Sequence, residues 1–81
     1  SKDPVKNYQI IVGQYSSKVE DVMTSLGEEF INWIVKNHPD KTKIIPAVVV
    51  LVASHQAQRI AVIDPVVSLL SLFYQIQKLI D

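Results

Sequence analysis

At 81 residues the chain is one domain, near the size at which a single hydrophobic core is only just sufficient. Eight Lys and Arg balance eight Asp and Glu, so no cationic excess is present to neutralise a nucleic-acid backbone. There is no Cys, which excludes disulfides and thiolate metal sites.

The hydrophobic fraction of 48% argues against disorder. A small body has little interior, so this much apolar side chain points to a partner surface. The opening residues lack the basic-then-apolar pattern of a signal peptide. The longest apolar run, Ile44 to Ala53, contains Pro46 and falls short of the ~20 residues that a membrane span needs. A cytoplasmic location is therefore favoured.

Asp3-Pro4 opens a helix: the carboxylate can cap free N–H groups, and Pro at the first helical position loses no bond. Val5, Tyr8, Val12, Tyr15, Val19, Val22 and Leu26 then recur at alternating steps of three and four, the seam spacing of one helix lying along another. Gly13 weakens a helix interior, and Ser17-Lys18-Val19-Glu20 reads as a capping box. These two signals predict a short helix over 4–12 and a second over 18–37, with one long helix as the alternative that the unbroken phase supports.

Lys36 suits the negative end of the second helix, and His38-Pro39 stops it. A third helix is expected over 46–62. The valines at 48, 49, 50 and 52 suit a strand, but no other segment alternates with period two to pair with one. On this helix Val49, Val50, Ala53, Ala57, Ile60 and Ala61 form one face, while Val48, Leu51, Val52 and Val62 lie opposite with His55 and Arg59. Asp64-Pro65 starts the last helix, over 65–80, with Ser68, Ser71, Gln75 and Lys78 as a narrow polar stripe and aliphatic residues around the rest. That helix is expected to be the most buried. The fold class is all-α: a small bundle of three or four helices with short connections.

Chemistry is sparse. Ser54 and His55 are adjacent on a helix and point about 100° apart, so they do not make a nucleophile and its base. Two His with no Cys do not make a zinc set, and Gly13 and Gly27 stand alone rather than in a phosphate loop. The acidic pairs Glu20-Asp21 and Glu28-Glu29 read as a solvated face. No catalytic, metal or cofactor residue is assigned, and the chain is read as non-enzymatic.

His38-Pro39-Asp40, followed by Lys41, resembles the His-Pro-Asp loop of J-domains, co-chaperone modules that stimulate heat-shock chaperone ATPases; Tyr8-Gln9-Ile10 and Gly13 resemble that family's opening turn. The resemblance implies a co-chaperone with His38 at its working loop. The helix before the tripeptide, Glu28 to Asn37, departs from the family's basic pattern, with two Glu and one Lys. The simpler reading of the tripeptide is a helix stop, in which Pro terminates and Asp turns.

The function expected from these residues is a helical interaction or assembly module. It self-associates, or takes a partner helix, through the second apolar face of the third helix. The interface residues are Val48, Leu51, Val52 and Val62, with His55 and Arg59 as polar registration. The alternatives are a membrane-associated helical protein, hinged at Asp64-Pro65, and the J-domain-like co-chaperone.

Overall fold

The computed structural model describes residues 3–58 and 65–81; at positions 8, 9, 11, 12, 13 and 16 it describes the backbone. The chain forms α1 (Pro4–Asn37), a 3-10 helix (Pro39–Ile44), α2 (Ile45–Ala57) and α3 (Pro65–Ile80). This is the all-α bundle that the apolar spacing predicts. The valine-rich segment is helical.

The first two expected helices are one. α1 runs for 34 residues, straight through Gly13 and Ser17. Asp3 caps it, its Oδ1 accepting from the backbone N–H of Val5 at 3.0 Å and of Lys6 at 3.3 Å. A capping box acts only where a helix begins, and nothing upstream of Ser17 ends this one: no described glycine takes positive φ. The penalty of about 1 kcal/mol for Gly13 is smaller than the cost of breaking the hydrogen-bond ladder there.

α1 ends as expected. His38 leaves the helix at φ −138°, ψ 63°, while its N–H still bonds the Ile34 carbonyl at 2.7 Å. The polar segment after it is a 3-10 helix with Pro39 in its first turn. α2 is shorter than the expected 46–62. Gln58 has left the helix, its N–H turning back to the His55 carbonyl at 3.2 Å. Arg59 and Val62 lie outside the described residues.

The core is where the three helices meet. Met23, Phe30 and Ile34 of α1, Val48 of α2, and Leu69 and Phe73 of α3 are buried together. Phe30 stacks on Phe73 at 4.4 Å between ring centroids and on Trp33 at 5.7 Å. Among the described residues these contacts begin at Val19, and the described side chains of the first four turns of α1 lie outside the core. The molecule is accordingly long, 56 × 19 × 15 Å, and its radius of gyration of 15.8 Å exceeds the roughly 12 Å of a compact domain of this length.

α3 has the largest share of covered side chains among the described helices, nine of its sixteen residues being buried or half-buried against six of thirteen in α2, yet its apolar circumference is not closed. Val67, Leu70, Tyr74 and Leu79 are exposed, and Leu79 retains 85% of its accessible surface. With only α1 and α2 to pack against, one side of α3 is covered and the opposite apolar side is left to solvent. No described helix is long and apolar enough to cross a membrane.

Candidate functional site

The sequence reserves Val48, Leu51, Val52 and His55 for a partner, and the fold turns that face inward. Val48 is 2% exposed and His55 is 8% exposed, while Leu51 and Val52 pack against the core. Those positions follow the spacing of a helix stripe laid on its neighbours. The opposite face carries the exposure, with Val50 67% open beside Val49 and Ala53. The expected interface is therefore corrected: these four residues hold the bundle together.

His55 shows how a polar group enters this stripe. Its Nδ1 lies 3.1 Å from the Leu51 carbonyl one turn back, and its Nε2 lies 3.2 Å from Ser68 Oγ on α3. A carbonyl oxygen can only accept, so Nδ1 donates; in the neutral ring Nε2 accepts from the Ser68 hydroxyl. Both ring nitrogens are satisfied, which removes most of the cost of burying them. Ser68, placed by the sequence in a polar stripe, is thus used inside the fold. Although Ser68 and His55 are spaced like a nucleophile and its base, neither lines any of the grooves described below. The pair clamps α2 to α3. A double-mutant cycle of His55→Ala and Ser68→Ala is expected to give a coupling energy above about 0.5 kcal/mol in urea unfolding; strict additivity would remove the clamp.

Gln56 performs the matching task toward α1. Its Nε2 donates to the Glu20 carbonyl at 2.9 Å and to Thr24 Oγ1 at 2.7 Å. The sequence reading missed this residue, because nothing local to Gln56 points to a partner 36 positions away.

The His38-Pro39-Asp40 tripeptide is tied into the structure. His38 Nε2 lies 2.8 Å from Asp81 Oδ1, and the ring packs at 5.2 Å against Trp33. The pair joins the end of α1 to the end of α3. Asp40 is exposed beside Lys41, 3.9 Å away. Pro39 starts the 3-10 helix, so the tripeptide stops α1 and anchors its end to Asp81 of the same chain.

Among the described residues, grooves between the helices include three. The one between α2 and α3, about 400 Å³, is lined by Ile44, Ala47, Val48, Leu51, Ile76, Leu79 and Ile80 and carries no charged side chain. A second, about 260 Å³, runs where α1 and α2 approach at Gly27 and Val52 and is rimmed by Thr24, Glu28 and Gln56. The third lies between α1 and α3 around Phe30, Phe73 and Tyr74. Among the described residues no group of His, Asp and Glu is arranged to hold a metal ion. No family, curated protein or solved structure matches this chain.

Proposed function

We propose that the chain is a non-enzymatic helical assembly module that associates with copies of itself through apolar helix faces. The observation that carries this reading is the surface the monomer leaves open. Its accessible area is 6058 Å², against about 4,900 Å² for a compact monomer of this mass. The excess, about 1,200 Å², is larger than the roughly 800 Å² that each partner contributes to a standard interface. The surface also includes side chains that normally lie inside: Val5, Tyr15, Val50, Val67, Tyr74 and Leu79 are each more than half exposed.

Apolar surface at about 25 cal/mol per Å² gives ample drive for association, although the costs of ordering two bodies consume much of it. Solution mass by light scattering after size exclusion, over a tenfold concentration range, tests the reading. A dimer or higher assembly is expected. A monomer at every concentration would overturn it.

A further inference from the structure

We infer that the groove between α1 and α2 is a docking site for a basic amphipathic helix of another protein. This is a heterologous contact, separate from the self-association reading.

The groove has the shape of a helix seat. α1 and α2 run antiparallel there, with Thr24 bonded to Gln56 toward one end and Gly27 set against Val52. Ile31 and Val49 continue the lining beyond them. Seven positions separate Thr24 from Ile31 and Val49 from Gln56, so each wall is about 10 Å, or two turns, long. The surface between the walls is apolar: Ile31 and Val52 are half-buried, and Val49 and Ala53 are exposed. At about 260 Å³ the groove is smaller than the roughly 300–1,000 Å³ of small-molecule pockets. An open apolar channel between two helical walls suits side chains arriving at i, i+3, i+4 and i+7 from a third helix.

Charge selects which helix. Asp21, Thr24, Glu28 and Ile31 recur at steps of three and four along this side of α1, and both carboxylates are exposed. Among the described residues neither has an ion-pair partner. Between Val19 and Val35, α1 carries Glu20, Asp21, Glu28 and Glu29 and no Lys or Arg, while α2 has no charged side chain besides the buried His55. The wall is therefore acidic with no cation to offset it. A helix carrying Lys or Arg two turns apart beside its apolar stripe complements it. The groove between α1 and α3 differs, since it holds Tyr74, over whose ring the Lys78 ammonium sits at 5.3 Å. Among the described residues, no α-helix of this chain places two Lys or Arg within two turns of each other. The occupant thus comes from elsewhere.

The probe is a labelled synthetic helix of about 15 residues, with Leu on one face and Lys on the other; a copy with Glu in place of Lys is its control. The full chain is expected to bind the basic peptide about tenfold more tightly than the acidic one at low salt, and added salt should narrow the difference. Glu28→Lys should weaken binding of the basic peptide about fivefold. Glu29→Lys makes the same charge change one residue on, in a different groove, and should weaken it less than about twofold. Amide shifts should move at Thr24, Ile31, Val49 and Ala53. No binding of the basic peptide, equal binding of the two peptides, equal losses in the two variants or shifts confined to α3 would overturn the proposal. Shifts at Val49 and Ala53 that move on diluting the protein alone would assign the groove to a second copy and overturn it as well. Self-association is judged separately, by solution mass.

Discussion

Phe73→Ala is expected to lower folding stability by about 3–5 kcal/mol, the largest loss at any single position. The ring is buried at the junction of the three helices and stacks on Phe30 at 4.4 Å. Truncation removes the area that the ring buries, leaves a cavity that helices pinned at His55 and Gln56 cannot readily close, and ends the stacking. For a domain of this length the total stability is on the order of 4–12 kcal/mol, so the variant should be marginal at room temperature. Urea unfolding followed by the fluorescence of the single tryptophan, Trp33, would report it, since Trp33 stacks on Phe30 in the same cluster. Leu79→Ala provides the contrast. Removing a large apolar side chain at a position 85% exposed should change stability by less than about 0.5 kcal/mol. Equal midpoints for the two variants at one protein concentration would contradict the core assignment.

Gly27→Ala should destabilise the fold by about 1–2 kcal/mol, against the sign that helix propensity gives. Alanine in a helix interior is worth about 1 kcal/mol over glycine. At Gly27 the added methyl carbon would lie 2.9 Å from Val52 Cγ2 and 3.6 Å from Cγ1. Valine is short and stiff about χ1, so it cannot swing away as a long side chain would, and α2 must lift from α1. Val52→Ala in the Gly27→Ala background should recover part of the loss by removing the clash. Gly13→Ala, at a helical backbone position of the same helix, should stabilise by about 0.5–1 kcal/mol through helix propensity. Thermal unfolding of the three variants separates the effects. A Gly27→Ala protein that melts above the parent would show that the α1–α2 approach is looser than described.

The contrast between these glycines indicates what could be read from the sequence. The cap of α1 at Asp3, its stop at His38-Pro39 and the span of α3 are all local patterns, and they appear in the fold, whereas of the described seam residues Val19 and Leu26 pack on the core and Val5, Tyr15 and Val22 are exposed. Gly13 and Ser17 are local signals too, but the unbroken apolar phase and the hydrogen-bond ladder override them. The orientation of α2 was not legible. Valines surround that helix, so its pattern carries no direction, and His55 seemed to mark the outer side. Ser68, 13 positions away on another helix, joins the Leu51 carbonyl in satisfying the ring and so makes the inward placement stable. The Gln56 contacts to α1 and the His38–Asp81 pair, the latter spanning 43 positions, are likewise products of the fold and not of any motif. The open surface was expected from composition, but its location had to come from the packing.

The length of α1 beyond its neighbours has a consequence for amide hydrogen exchange. From Val19 onward, an α1 amide can open only with the bundle or with the part of it that packs there. Before Val19, in an isolated chain, opening is limited only by helix fraying, whose free energy is near zero. A single continuous helix should therefore show two exchange regimes with a boundary within about one turn of Val19. The slow side should be insensitive to protein concentration near the assembly threshold. Variants that stabilise the core should slow the protected side further and leave the fast side unchanged.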